Sequence, residues 1–530
     1  MIRSAGVVSG LTLVSRLLGL VRDILMAGVF HTSLAMSGFV VAFTIPNLFR
    51  RLFGEGALSA AFIPVFVKTQ KEQGDEAAWS LARRISTLLL GVLTAITVVG
   101  VVAAQWGLTQ AVPGSKTAVT LSLLRIMLPY MIFICLAALS MAMLNARRRF
   151  AVPAATPVLL NVVWILCLVA VVPRMDGPLE QKIVAVAWAV LVAGCVQLTF
   201  QLPALWREGF RPGFELAKGD ERVRRVLILM GPAALGLAVA QINVMIDKLL
   251  AWWIGPWAPA ALYYSERLLY LPLGIFATAL GTVLLPVLSG HAAAGERDRI
   301  PPAINHGLRN LLFIMVPASM GLLVLARPIV TLVYQSGGFG QVATTQTVLA
   351  LQFYAPGLVM FSLAKVFVPA FYAEQDTRTP VKVALWCVGL NLVLNIVFVL
   401  TWPPHLKHAG LAFATVLSSA VNGACLAGLV HRRFGSPGWS AITISALRSL
   451  ALAAAMGFLA AGLHPLFYEW VRWTAWPIKY LQFAALMLTI AAASLAYFLL
   501  AWIIRAPEMR DILGGLRRGR GVESRMSNVE

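Results

Sequence analysis

Charge is what this sequence has least of. Only 12% of its 530 residues are Asp, Glu, Lys or Arg, about half the share of an ordinary soluble domain. Acidic residues are the scarcer kind: 22 against 43 Lys and Arg, a formal net charge of +21. A chain so poor in ionisable groups cannot coat a soluble fold. Cysteine is also rare. Cys135, Cys167, Cys195, Cys387 and Cys425 all lie in apolar stretches, none at metal-ligand spacing from another. That excludes a disulfide scaffold and leaves them as small buried hydrophobes. The seven His residues form no His-Glu-x-x-His pattern. No Gly-x-x-x-x-Gly-Lys-Ser/Thr loop occurs, and Pro113-Gly114-Ser115-Lys116-Thr117 only resembles one superficially. Zinc hydrolysis and energy from bound ATP are therefore not expected of this chain.

What is present is apolar length. The chain is 59% hydrophobic, with a mean hydropathy of +0.81. A membrane-spanning helix needs about 20 mostly apolar residues. Residues 126–146, 150–173, 183–206, 226–246, 383–406, 409–431 and 480–504 contain no charged side chain at all. Allowing one or two charges per stretch gives fourteen expected spans: 4–28, 34–66, 85–107, 119–145, 153–173, 183–205, 226–253, 260–289, 307–326, 343–372, 381–402, 409–430, 443–463 and 477–504. The first reads as a retained span, because no Ala-x-Ala-like cleavage site ends it. Lys and Arg concentrate in the even-numbered connections and at the two termini, which hold 27 of the 43, against 7 in the odd connections. The bias places both termini in the cytoplasm.

The sequence also repeats itself. Residues 57–66 resemble 279–288, aligning Pro64 with Pro286, and Pro129 and Pro153 recur as Pro356 and Pro380. The implied unit is six spans, covering residues 1–220 and then 221–435. Six is even, so both copies enter the bilayer in one direction, related by a pseudo-two-fold axis along the membrane normal, as in transporters. The expected fold is an all-α integral membrane protein with two six-helix lobes. Two further C-terminal helices (436–505) and a basic cytoplasmic tail (506–530) follow.

Nine cations remain at or near membrane depth: Arg16, Arg22, Arg50, Arg51, Arg125, Lys248, Arg267, Lys365 and Arg448. The nearby acids are Asp23, Glu55, Asp247 and Glu266. A mid-bilayer charge costs at least about 2.5 kcal/mol, so such residues face a wet cavity or a partner. Surplus arginine in a cavity calls for an anion, and its planar fork suits phosphate or carboxylate. Arg16 and Asp23, seven residues apart, are expected on one face of the first span. Asn47, Arg51 and Glu55 form an i, i+4, i+8 stripe beside Arg50. Separately, Asp247 and Asn243 on span 7, Asn391 and Asn395 on span 11 and Thr415 on span 12 offer oxygen ligands of a kind that suits Na⁺ or a proton relay. The competing reading is an Asp247 ion pair with interhelical Asn hydrogen bonds.

Several motifs carry a family resemblance. They are Ser15-Arg16-Leu17-Leu18-Gly19-Leu20-Val21-Arg22-Asp23, Pro46-Asn47-Leu48-Phe49-Arg50-Arg51-Leu52-Phe53-Gly54-Glu55-Gly56-Ala57, Pro157-Val158-Leu159-Leu160-Asn161, Tyr263-Tyr264-Ser265-Glu266-Arg267-Leu268, Gly281-Thr282-Val283-Leu284-Leu285-Pro286 and Phe371-Tyr372-Ala373-Glu374-Gln375-Asp376-Thr377-Arg378-Thr379-Pro380. Together they resemble the MurJ/MviN family of lipid II flippases over nearly the whole chain. The resemblance implies a fourteen-helix member of the multidrug/oligosaccharidyl-lipid/polysaccharide exporter superfamily in the bacterial inner membrane. Its last two helices would form a groove for a polyprenyl tail. It implies a cationic cavity of Arg16, Arg22, Arg50 and Arg267 with Asn47, Glu55 and Glu266, and a sodium site of Asp247, Asn391, Asn395 and Thr415. Na⁺, H⁺ or the membrane potential would drive the cycle, with no other cofactor. The expected partners are lipid II, membrane lipids and cell-wall synthesis proteins, and no nucleic acid. Two positions depart from the family pattern: Ser37 stands where relatives often carry Asp, and Glu266 where Asp is usual.

Three rival classes make different demands. A cation-extruding drug exporter should have an acidic cavity. A polyprenyl-phosphate enzyme needs an intramembrane acid/base or metal cluster. A structural scaffold needs no deep arginines.

Overall fold

The computed structural model describes residues 2–54, 57–217, 219–472 and 477–510. Among these residues the secondary structure is helical throughout, with no strand. That is what lipid demands, since a bilayer core offers no water to satisfy an open backbone.

Packing divides the described chain into two compact units. The first runs up to Ala261 and also takes in Ser336–Ala343. It contains α1 (Ile2–Phe30), α2 (Leu34–Gly54), α3 (Ala57–Gln110), α4 (Lys116–Met127), α5 (Tyr130–Ala146), α6 (Ala151–Leu166), α7 (Leu179–Thr199), α8 (Leu202–Arg207) and α9 (Glu221–Ile254). The second comprises Leu262–Gln335 and the chain from Thr344 on. It contains most of α10 (Ala258–Pro272), then α11 (Thr278–Ala293), α12 (Ile300–Val324), α13 (Ala326–Tyr334), most of α14 (Gln341–Tyr354), α15 (Gly357–Ala373), α16 (Arg378–Thr401), α17 (Lys407–Phe434), α18 (Trp439–Arg472) and α19 (Ile478–Ile503). The packing boundary at Ala261 is not the sequence-repeat boundary expected at residue 220, because α9 packs against α2 and α3.

Among the described residues, helix occupies most of each expected span, and eleven stretches are long and apolar enough to cross a membrane, or twelve if the pair Gln341–Tyr354 and Gly357–Ala373, bent by 42°, is one crossing. The stretch Leu34–Gln110 holds two expected spans. Helix continues between them through residues 67–84, broken only at Gly74, whose φ of 86° no ordinary helix position adopts. Pro272 ends α10 in a π-turn, Leu273–Ala277. A ring without an N–H disrupts the helical ladder there, and one wider turn absorbs the mismatch.

The sequence repeat is visible in backbone detail. α5 and α15 are both 17 residues long and both follow a proline cap, Pro129 and Pro356. Each ends in a left-handed residue two places beyond the helix, Arg148 with φ 61° and Gln375 with φ 60°. The closing hydrogen bonds match: Arg149 N–H to Leu144 O at 2.8 Å, and Asp376 N–H to Phe371 O at 2.9 Å. Both α6 and α16 then begin with a proline at their third residue, Pro153 and Pro380. In the second unit, α18 and α19 bury a core with α12 around Phe313, Met456 and Tyr497. In the first, a loop from far along the chain closes on the end of α1: Gly338 N–H donates to Gly28 O at 2.9 Å. Gly337 has a φ of 55°, and a Cβ there would lie 2.4 Å from Gly28 O.

Candidate functional site

In the first unit the expected arginines do different things. Arg16 is exposed on α1. Arg22 is 8% exposed and Asp23 4%. The Arg22 Nε and Nη2 donate to Asp23 Oδ1 at 3.1 and 2.8 Å, and Nη1 donates to Asn161 Oδ1 at 3.1 Å. The guanidinium lies 4.5 Å from the centre of the Trp164 ring. Asn161 in turn donates to Ser15 O at 3.0 Å, back on α1. Asp23 is thus bonded by its sequence neighbour. Adjacent helical residues diverge by about 100°, but the long Arg arm curls back across that angle. The network gives every guanidinium nitrogen of Arg22 an acceptor, part of the condition for burying an ion pair at tolerable cost. Asn161 closes the family motif on α6, so two of the quoted motifs meet at one hydrogen-bonded node.

On α2, Arg50 Nε donates to Asn47 Oδ1 at 2.8 Å. This is an i, i+3 contact, on the helix that carries the Asn47–Arg51 stripe. Arg51 Nε is buried without a hydrogen-bond acceptor among the described residues. Glu55 lies outside the described residues. Ser37 is fully buried, and its Oγ accepts the Ala260 N–H at 3.3 Å, one of the amides that open α10. Its neutral oxygen fills the role of a helix-starting acceptor.

In the second unit, α10 presents Glu266 and Arg267 from one turn. Tyr354 OH donates to Glu266 Oε1 at 3.2 Å. Arg267 Nη2 donates to Tyr263 OH at 3.2 Å, and its guanidinium sits 4.7 Å from that ring's centre. Tyrosine therefore positions both charged side chains.

The expected cation ligands divide between the units. Asp247 is buried on α9 of the first. In the second, Asn391 and Asn395 are 1% and 0% exposed. Asn395 Nδ2 donates to Asn391 Oδ1 at 2.8 Å, and Asn391 Nδ2 reaches Thr415 Oγ1 at 3.4 Å and Ser418 Oγ at 3.5 Å. The second-unit trio does converge, and Ser418 joins it. Donor and acceptor oxygens of this kind could hold a small hard cation. Among the described residues no group of three His, Cys, Asp or Glu is placed to hold a metal.

Other deep cations serve the framework. Arg125 donates to Gln105, and Arg448 lies 3.7 Å from Glu508. Lys365 is exposed, while Lys248 is buried beside Asp247. The family motif 371–380 also proves architectural. Asp376 Oδ1 accepts the N–H of Arg378 and Thr379 at 3.1 and 3.0 Å, capping α16, and its Oδ2 accepts Thr379 OH at 2.7 Å. Arg433 bonds both Glu374 and Asp376. The amide and hydroxyl of Thr379, reinforced by Arg433, draw the Asp376 carboxyl down to about 2. In the connection between α8 and α9, Asp220 is held below the usual carboxylate range, chiefly by Arg222 with help from Arg84.

Sequence reasoning did not single out Trp164, Tyr354, Ser418 or Glu508, and reached Tyr263 only as part of the motif 263–268. Glu508 is one of four acids in the tail, with Asp511, Glu523 and Glu530, and nothing in the sequence set it apart. Tyr354 carried no signal either, because aromatic partners of a charge are chosen by three-dimensional contact.

Comparison with known proteins places this geometry in context. The family model described as Lipid II flippase MurJ matches residues 26–481. A lipid II flippase MurJ of Burkholderia cenocepacia is 35% identical over 512 residues, covering 94% of this chain and 96% of that protein. A probable lipid II flippase MurJ of Vibrio cholerae is 34% identical over 526 residues, 97% of each. Among solved structures, a lipid II flippase MurJ in an inward closed conformation superposes with a TM-score of 0.76 at 23% identity, over 96% of this chain and 99% of that one. An inward-facing multidrug-resistance MATE transporter of the MOP superfamily gives 0.64 at 16% identity, over 85% of this chain and 98% of that one.

Proposed function

The chain belongs to the lipid II flippase MurJ family, and from that premise we propose that it carries lipid II from the cytoplasmic to the periplasmic leaflet for cell-wall synthesis. The observation that supports this most is the set of arginines on apolar helices: Arg16 and Arg22 on α1, Arg50 on α2 and Arg267 on α10. Lipid-facing helices would lose such residues. A diphosphate head group cannot cross hydrocarbon bare, and arginine forks replace its lost water with charge-assisted hydrogen bonds. Asn47 orients the Arg50 fork, and Glu55 and Glu266 are the acids assigned to the same site.

The cycle is alternating access by fourteen spans arranged as two six-helix lobes, residues 1–220 and 221–435. Spans 13 and 14 (436–505) hold the polyprenyl tail in lipid. Both termini, including the basic tail from 506, face the cytoplasm of a bacterium's inner membrane. Asp247, Asn391, Asn395 and Thr415 are the ligands through which Na⁺ would couple to the cycle, with H⁺ and the membrane potential as the other energy sources. Ser37 has no carboxyl to take up and release a proton, as the Asp at that position in relatives would. Cell-wall synthesis proteins are the natural recipients of the delivered precursor.

Growth of a flippase-depleted bacterium tests this. The chain is expected to restore growth, and Arg22→Ala or Arg267→Ala to abolish rescue at equal membrane abundance. Full rescue by both variants would contradict the cavity. For coupling, Asp247→Ala is expected to lose any Na⁺ dependence of rescue.

A further inference from the structure

The two copies of the internal repeat differ in charge at a turn whose backbone they share. Residues 147–149 and 374–376 occupy the same turn, with the same left-handed middle residue. The second copy reads Glu374-Gln375-Asp376; the first reads Arg147-Arg148-Arg149. In the second copy the Asp376 carboxylate accepts the N–H of Arg378 and Thr379 and so caps α16. The equivalent amides in the first copy are those of Ala151 and Val152. No side chain caps α6, and neither amide has an acceptor among the described residues. Where the second copy carries its own anion, the first carries a cation, Arg149.

The same place is hollow. A cavity of about 500 Å³ is bounded by Arg148, Arg149, Ala151, Val152, Arg207 and Glu208, with Val7 of α1 at its edge. Glu208 is already shared by Arg147 Nε at 3.2 Å and Arg149 Nε at 2.7 Å. Arg148 and Arg207 have no carboxylate partner among the described residues, so the cavity keeps net positive charge. Phe150 and Trp206 beside it are 40% and 46% exposed. Partly exposed aromatics next to arginine at the start of a candidate span (Ala151–Arg174) are the side chains of a head-group layer.

We propose that this cavity is a binding site for the phosphate of an anionic membrane phospholipid, which takes the place that Asp376 holds in the second copy. The phosphate oxygens accept the Ala151 and Val152 amides, as the carboxylate does in the repeat. Arg148 and Arg207 close on the remaining oxygens, and the acyl chains run along α1. Basic pockets at the ends of membrane helices bind such head groups, and the helix N-terminus adds its own preference for an anion. The site is separate from the arginines assigned to the transported substrate, so it stands whatever the chain carries.

The test uses the full chain in detergent, titrated with phosphatidylglycerol, phosphatidylcholine or inorganic phosphate, with bound molecules counted by native mass spectrometry. One saturable phosphatidylglycerol is expected, with no saturable phosphatidylcholine. Arg148→Asn tolerates the left-handed backbone. Combined with Arg207→Gln, it is expected to weaken that site about 30-fold, about fivefold for each arginine near a lipid surface. Arg149→Asp rebuilds the second copy's cap and is expected to abolish the site while the thermal midpoint is kept. Equal binding of phosphatidylglycerol by the wild type and both variants would overturn the proposal. So would equally tight phosphatidylcholine. Saturable binding of inorganic phosphate with none of phosphatidylglycerol would overturn the lipid as its source.

Discussion

Glu508 offers the sharpest test of how the last two helices are held. It is 1% exposed just beyond α19. Its Oε1 accepts Arg309 Nε at 2.8 Å, Arg309 Nη2 at 2.6 Å and Ser445 OH at 2.8 Å, and Arg448 Nη1 lies 3.7 Å from its Oε2. The carboxylate therefore ties the end of α19 to α12 and α18 beneath their shared apolar core. Glu508→Ala strands two arginine side chains that are 24% and 30% exposed. Breaking a buried pair costs about 3–5 kcal/mol, and the partial exposure of the arginines puts this case at the low end, about 3 kcal/mol. In local-opening terms that is roughly a hundredfold. The assay is amide hydrogen exchange in lipid nanodiscs, followed in the peptide containing Ala506 and Met509, whose amides bond Ala501 O and Ala506 O. Exchange is expected to accelerate about a hundredfold in Glu508→Ala. Glu508→Gln keeps an acceptor oxygen and loses about 1–1.5 kcal/mol of charge assistance, so about tenfold is expected. An alanine variant within threefold of the wild type would refute the anchor.

Other expectations follow from the same contacts. Asn161→Ala removes the bridge between Arg22 and Ser15 O; a loss of about 1–3 kcal/mol is expected, read as a thermal midpoint below that of the wild type. Asp376 is depressed to about 2 when folded, so its stabilisation is complete above the unfolded value of about 3.9 and is lost as pH falls from there toward 2. Stability measured from pH 6 to pH 3 is expected to fall more steeply in the wild type than in Asp376→Asn. Gly337→Ala combines a φ of 55° with a Cβ 2.4 Å from Gly28 O, so loss of folded protein is expected, whereas Gly340→Ala, with nothing within 4 Å of its Cβ, should be tolerated.

The helices were legible because lipid leaves hydrophobic length as the main constraint, and the described parts of the apolar stretches are helical almost throughout, eleven or twelve of them long and apolar enough to cross a membrane. The repeat was legible from two prolines, and the structure extended it to a left-handed turn that no residue type announces, since Arg148 and Gln375 share only a backbone angle. The deep charges were legible as a set but not in their pairings. Periodicity placed Asp23 on a face with Arg16 and Asn47 in a stripe with Arg51, and the bonds to them come from Arg22 and Arg50. Helical spacing fixes the direction of Cβ, whereas a guanidinium four bonds further out is free to choose among several partners. The motif 371–380 carried family identity, and its acids cap α16 and hold Arg433.

The central claim is that arginines on apolar helices carry an anionic lipid precursor across the membrane. Leaflet exposure of lipid II in flippase-depleted cells expressing this chain measures that step directly. The wild type is expected to restore exposure on the periplasmic face, with Arg16→Ala, Arg22→Ala and Arg267→Ala leaving the precursor inside at equal membrane abundance. Normal exposure in all three variants, or none with the wild type, would contradict it.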